Sequence, residues 1–189
     1  MGLNNNFVYA IALDPSNPST LYTGTSFGVF KSINGGETWN ESGLANERIY
    51  TLAIDPSNPM TIYAGTEQKG VFKSPDGGAT WKAVVKGLGN ACVHALAIDP
   101  SSPTTVFSGT LGGGVFRSKN GGESWEAMNS GLSNAYVYAL ALAHSEPPTI
   151  YAGTAGGGVF SYTFSGTCTS RKRYDASYPE VRKCEQGAR

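Results

Sequence analysis

The chain has 189 residues, with 14 lysines and arginines against 14 aspartates and glutamates and 15% charged residues overall, which makes no electrostatic case for nucleic acid or an anionic membrane as partner. No apolar run approaches the roughly 20 residues that cross a bilayer, so membrane insertion is not expected, and residues 1–4 lack the charged-then-apolar profile of a signal peptide. Twenty-five glycines, ten tyrosines and eight phenylalanines suit a turn-rich β protein, and three scattered cysteines give neither a disulfide framework nor a zinc site.

The predicted elements recur four times along the chain. Gly2-Leu3 returns as Gly43-Leu44, Gly87-Leu88 and Gly131-Leu132, at steps of 41, 44 and 44 residues. Each unit then opens with a strand, at 8–13, 49–54, 93–98 and 137–142. In the first copy Tyr9, Ile11 and Leu13 make a large face, and Val8, Ala10 and Ala12 a small one. Bulk against alanine suits each sheet to pack on the next copy of itself. A turn follows at Asp14-Pro15, Asp55-Pro56 and Asp99-Pro100, with Ala143-His144 in the fourth place. There proline ends ladder pairing and the aspartate bonds the turn backbone. The second strand carries Thr23-Gly24-Thr25 and its copies. The third carries Gly28-Val29-Phe30 and its copies.

Three octets close the first three units. They are Ser32-Ile33-Asn34-Gly35-Gly36-Glu37-Thr38-Trp39, Ser74-Pro75-Asp76-Gly77-Gly78-Ala79-Thr80-Trp81 and Ser118-Lys119-Asn120-Gly121-Gly122-Glu123-Ser124-Trp125. Asn or Asp before Gly-Gly supplies the left-handed residues of a tight reversal, and the tryptophan opens the fourth strand. A period of 40–45 residues holding four short strands has the size of one propeller blade. The octets resemble the Asp-box (BNR) repeat of sialidase-like β-propellers, over residues 2 to 164. The resemblance implies an all-β propeller of four-stranded antiparallel blades at 2–42, 43–86, 87–130 and 131–164. It also assigns the octet residues to structure rather than catalysis.

The fourth unit is incomplete. No octet or tryptophan follows Val159-Phe160, so fifteen strands are visible where four blades need sixteen. Residues 165–189 carry no period and read as a tail; alternatively, part of them supplies the missing outer strand. Cys168 and Cys184 would close a loop there if oxidised. An arc of blades leaves two apolar faces without a neighbour, which suggests a segment of a larger propeller, self-association through those faces, or closure as a four-bladed ring.

Asp14, Asp55 and Asp99 recur at one turn position, where a catalytic pair would be unique. The sialidase family clamps its substrate with three arginines, yet the repeats hold only Arg48 and Arg117 and no Arg-Ile-Pro motif. No cofactor or metal is expected. The non-repeating loops into the first strand and between the second and third are the candidate ligand face. They carry Arg48, Glu67, Gln68, Lys69 and Tyr136, with His94 at a slot that is tyrosine in the other three units. His144, in the fourth turn, reads as solvated. The expected function is a non-catalytic binding or scaffold module for a protein or glycan, as in photosystem assembly factors and sortilin-like receptors. The alternative is part of a sialidase-like or xyloglucanase-like glycoside hydrolase. The family resemblance implies an extracytoplasmic location.

Overall fold

The computed structural model describes residues 3, 7–89, 91–143, 145 and 148–164, and the backbone of 173–174. Asn90, His144, Cys168 and Cys184 lie outside the described residues. Sixteen strands form four antiparallel sheets, and no helix occurs among the described residues. The first sheet holds β1 (Val8–Leu13), β2 (Leu21–Thr25), β3 (Gly28–Ser32) and β4 (Asn40–Glu41), in that order. The second holds β5 (Ile49–Ile54), β6 (Ile62–Thr66), β7 (Val71–Ser74) and β8 (Lys82–Ala83). The third holds β9 (Val93–Ile98), β10 (Val106–Thr110), β11 (Gly114–Ser118) and β12 (Glu126–Ala127). The fourth holds β13 (Val137–Ala143), β14 (Thr149–Thr154), β15 (Gly158–Thr163) and β16 (Arg173–Tyr174). The sixteenth strand therefore comes from the non-repeating segment, pairing Phe160 with Arg173 and Val159 with Tyr174.

Each β-hairpin of the octet type is held by its own side chains. Gly77 and Gly78 have φ of 68° and 88°, a region open to glycine without steric cost. Asp76 Oδ1 accepts the Thr80 N–H at 2.8 Å, and Asp76 Oδ2 accepts the Thr80 hydroxyl at 2.5 Å. The Ser74 hydroxyl donates to Asp76 and accepts the Gly78 N–H at 2.8 Å. Asn34 and Asn120 make the corresponding bonds with Thr38 and Ser124. The tryptophans precede their two-residue outer strands, and Trp81 and Trp125 donate indole N–H groups to Ser42 O and Val84 O of the preceding blades.

Successive inner strands pack on one another, β5 on β1, β9 on β5 and β13 on β9, with no comparable packing of β13 on β1. The sheets thus make an open arc of propeller. One apolar cluster fills each junction: Tyr22, Val29, Ile49 and Ile62 in the first, Tyr63, Val71, Val93 and Trp125 in the second, Val115, Val137 and Ala152 in the third. The junctions are tight because glycine faces the incoming side chain. A Cβ on Gly24 would lie 2.7 Å from Ile49 Cγ2, one on Gly65 2.6 Å from Val93 Cγ1, and one on Gly109 2.6 Å from Val137 Cγ1.

The strict alternation expected of the inner strands is broken. Val8 pairs with Thr25 while Ala10 pairs with Gly24, so Tyr9 is the extra residue of a β-bulge. Tyr50, His94 and Tyr138 occupy the same bulge in β5, β9 and β13. The bulge moves the strand's first residue to the other face. Ile49 accordingly joins Leu52 and Ile54 in the junction cluster, and Val93 joins Leu96 and Ile98. The first residue therefore belongs with the large side chains, and the assignment of Val8 to the small face is corrected.

Candidate binding face at the inner-strand bulges

The four bulges aim one ring per blade into a continuous row. Tyr9 meets Tyr50 edge-on with centroids 5.2 Å apart, Tyr50 stacks on His94 at 4.2 Å, and His94 meets Tyr138 edge-on at 5.1 Å. Tyr9 and Tyr138, at the two ends of the row, are exposed, while Tyr50 and His94 are half-buried. Burial holds the His94 imidazole below the ordinary histidine value, so the ring is neutral at pH 7.

Beside this row the loop into each inner strand is tied to the loop between the second and third strands. In all four blades one backbone N–H makes the tie: Ser26 to Phe7 O at 3.0 Å, Glu67 to Arg48 O at 3.0 Å, Leu111 to Cys92 O at 2.9 Å, Ala155 to Tyr136 O at 3.0 Å. Because the tie is made by the backbone, the side chains at these positions are free to differ. In the second blade they are charged. Glu67 Oε1 accepts from Arg48 Nη1 and from the Tyr50 hydroxyl, the latter at 2.9 Å. The Arg48 guanidinium is held above its usual value by the Tyr50 hydroxyl and then by Glu67, and its Nε is buried with no hydrogen-bond partner. Burial raises the Tyr50 phenol, and raises the Cys92 thiol with a further contribution from the Glu67 carboxylate. Lys69 pairs with Glu47 one step outward.

The structure brings Arg48, Glu67 and His94 together through Tyr50, and Lys69 joins them on the same pair of loops. Gln68 is exposed at the loop tip, and Tyr136 is exposed on the fourth blade, its N–H donating to Asn134 Oδ1 at 2.8 Å. Sequence reasoning missed Tyr50, Tyr9 and Tyr138 as part of this face. Their signal, an aromatic at the second position of every inner strand, reads equally well as packing until the bulge is seen.

The repeated aspartates sit elsewhere and are consumed by turns. Asp14 Oδ1 accepts the Ser16 N–H at 2.8 Å and the Ser16 hydroxyl at 2.7 Å, and Asp55 and Asp99 do the same with Ser57 and Ser101. Hydrogen bonds from Ser16 lower the Asp14 carboxyl, and those from Thr80 and Ser74 bring Asp76 to about 2. A glycosidase general acid needs the opposite shift. Among the described residues no cluster of three or more metal-ligating side chains occurs. A groove of about 320 Å³ lies at the outer edge between the first two blades, lined by Lys31, Asn40, Glu41 and Asp76 among others. It opens between β4 and an octet turn, away from the convergent loops, and its Asp76 carboxylate is already taken by the turn.

No family model matches this chain, and no curated protein matches it. Solved structures do. An ancestral GH74 enzyme matches with TM-score 0.66 and 22% identity, over 94% of this chain and 25% of that one. The GH74 enzyme of Niastella koreensis matches with TM-score 0.66 and 25% identity, over 82% of this chain and 28% of that one. The extracellular domain of BT4673 from B. thetaiotaomicron matches with TM-score 0.65 and 17% identity, over 96% of this chain and 29% of that one. The chain thus spans between a quarter and a third of the length of these proteins, and the likeness defines a β-propeller segment.

Proposed function

We propose that this chain is an Asp-box propeller module that binds a glycan or protein partner across the loop face without catalysing a reaction on it. The observation that carries the reading is the row of four rings set by four equivalent bulges and flanked by the Arg48–Glu67–Tyr50 cluster. Rings with hydroxyl tips offer an apolar surface and a polar handle together, and a rigid strand end presents them at low entropic cost. Arg48, Glu67 and Lys69 add charge-assisted donors and acceptors beside the rings. Likeness to an extracellular domain supports an extracytoplasmic setting.

The test is titration of the chain with a glycan panel, reading the His94 ring resonances and tyrosine fluorescence. Arg48→Ala combined with Lys69→Ala weakens binding while the melting temperature stays nearly unchanged, because ion pairs at this partly exposed surface contribute about 0–1 kcal/mol each. Binding that survives both substitutions and leaves the His94 resonances unmoved overturns this face as the site. A second reading, part of a glycoside hydrolase, draws on the likeness to the GH74 enzymes. Turnover of aryl-glycosides or sialyl-lactose by the chain would favour it; the lowered Asp14 and Asp76 carboxyls speak against a general acid at either position.

A further inference from the structure

Asn-Gly occurs twice in the chain, at Asn34-Gly35 and Asn120-Gly121, and both copies lie inside octets. The octet uses this dipeptide for its reversal. Gly35 and Gly121 have φ of 71° and 65°, and the asparagine side chain closes the turn. The same dipeptide is the one in which a backbone nitrogen most readily attacks the preceding carboxamide, because glycine has no Cβ to hinder the approach. The reversal is therefore built on a chemically labile step.

The folded octet holds that step closed at both reacting atoms. The attacking atom is the Gly121 nitrogen, and its N–H donates to Thr104 O at 2.8 Å. The Gly121 carbonyl accepts the Tyr63 hydroxyl and Lys73 Nζ of the preceding blade, each at 3.0 Å, and Gly121 and Gly122 are buried. The target is Asn120 Cγ, whose carboxamide is bonded to the far side of the turn. Its Oδ1 accepts the Ser118 hydroxyl and the Ser124 N–H, both at 2.9 Å, and its Nδ2 donates to Ser124 Oγ at 2.9 Å. Asn34 makes the same bonds with Ser32 and Thr38, and the Gly35 N–H donates to Ser19 O at 2.9 Å. Attack at position 120 requires the Gly121 peptide to leave Thr104, Tyr63 and Lys73 together, which is a local opening of the second junction.

We propose that Asn120 is a deamidation site gated by the junction between the second and third blades, and that the octet takes back only one of its two products. In the opened chain the Gly121 nitrogen bonds to Asn120 Cγ, the Cγ–Nδ2 bond breaks, and ammonia leaves with the proton of the Gly121 amide. Water then opens the cyclic imide. Cleavage of the new N–Cγ bond gives aspartate, and cleavage of the original N–C bond gives isoaspartate, whose main chain runs through Cβ and Cγ. Aspartate fits, because Asp76 already builds this turn with the Ser74 hydroxyl, the Thr80 N–H and the Thr80 hydroxyl. Isoaspartate does not. It adds a methylene to the backbone between Ser118 and Gly122, whose hydroxyl and N–H are bonded at 2.9 Å, and it moves the carboxylate onto Cα, away from the Ser124 N–H.

The experiment follows position 120 by peptide mapping and mass spectrometry, resolving aspartyl from isoaspartyl forms, in the 189-residue chain held at pH 8 with and without urea. Deamidation of Asn120 is at least tenfold faster in urea. Tyr63→Phe, which takes one donor from the Gly121 carbonyl, deamidates at Asn120 faster than the parent in the absence of urea. Chains aged in urea are then refolded, and the compact fraction is separated by size exclusion. That fraction carries aspartate at position 120 and is depleted at least tenfold in isoaspartate relative to the unfolded pool. Asn120→Asp, made directly, refolds with the circular-dichroism spectrum of the parent. Equal rates with and without urea, or an unchanged rate in Tyr63→Phe, overturn the junction as the gate. Isoaspartate recovered in the compact fraction in the proportion of the pool, or an Asn120→Asp chain that fails to refold, overturns the selection between products.

Discussion

Exchanging Tyr63→Phe and Phe107→Tyr tests how the chain matches each blade to its successor. Tyr63 is buried, and its hydroxyl donates to Gly121 O at 3.0 Å; Lys73 Nζ donates to the same carbonyl at 3.0 Å. Tyr22 and Lys31 repeat this on Gly77 O. The fourth unit has no octet to offer such a carbonyl, and at its junction the residue is Phe107. That ring lies 5.5 Å from Phe164, over which Arg117 sits at 5.4 Å. Tyr63→Phe removes one donor but leaves the carbonyl bonded to Lys73, so the expected loss is one net hydrogen bond, about 1 kcal/mol. Phe107→Tyr places a hydroxyl at a position 1% exposed with no octet carbonyl to receive it, which costs about 1–3 kcal/mol. With a urea m-value of about 2 kcal/mol/M, the midpoint falls by about 0.5 M in the first variant and about 0.5–1.5 M in the second. Burial and then the Asp55 carboxylate push the Tyr63 phenol up to about 12, so ultraviolet titration of Tyr63→Phe loses a tyrosine that ionises near 12. A Phe107→Tyr chain as stable as the parent would refute the reasoning.

Three further outcomes are expected. The Asp76 carboxyl is lowered from 3.8 to about 2, so its contribution to stability is complete above 3.8 and is lost as pH falls toward 2; Asp76→Asn removes that part of the acid dependence and keeps the turn, as Asn34 and Asn120 do, read by acid unfolding followed at Trp fluorescence. His94 titrates below the usual 6.5 because it is half-buried, so stability is full above 6.5 and falls as pH drops through the lower folded value; His94→Tyr abolishes this loss, measured as urea midpoints at pH 5 and pH 8. The Cys92 thiol, raised by burial and then by Glu67, reacts with a disulfide reagent at pH 8 at least tenfold more slowly than a free cysteine peptide, and unfolding in urea restores the rate.

The fold was legible because its determinants are local and repeated. Asn34-Gly35-Gly36 and its copies demand a left-handed reversal wherever they occur, and the structure gives those glycines φ between 65° and 93°. Asp14, Asp55 and Asp99 likewise state a turn in four or five residues. The bulge was not legible, because nothing in Val8-Tyr9-Ala10 distinguishes an inserted residue from ordinary alternation. It follows from the pairing of Val8 with Thr25 and Ala10 with Gly24, a cross-strand property. The face assignment of Val8 and the ring row were lost together for that reason. Arg48, Glu67 and Lys69 were found by their departure from the repeat, yet Tyr50, which links Arg48 and Glu67 to His94, was hidden by conforming to it. The sixteenth strand, Arg173–Tyr174, lies beyond the last repeat and carries no octet to announce it.

The placement of the bulge explains how one repeat supports both a fixed core and a variable face. Below the bulge, positions such as Ile49, Leu52 and Ile54 fill the junction against Tyr22 and Val29, and the glycine opposite them leaves no freedom. Above it, one backbone bond joins the two loops of each blade and others join loops of neighbouring blades, as from Asn46 to Phe27 O and from Gly70 to Ala91 O, and backbone bonds place no demand on side-chain identity. The four positions that accept this bond are Phe7, Arg48, Cys92 and Tyr136, four different chemistries on one scaffold. The bulged residue stands between the two regimes: its backbone is unpaired in the ladder, and its ring rests on the rings of adjacent blades. A substitution there alters the face without opening a junction, as His94 among three tyrosines illustrates. Recognition in this architecture is therefore set by a few residues per blade at the end of the inner strand, while the octets and junction glycines fix where those residues stand.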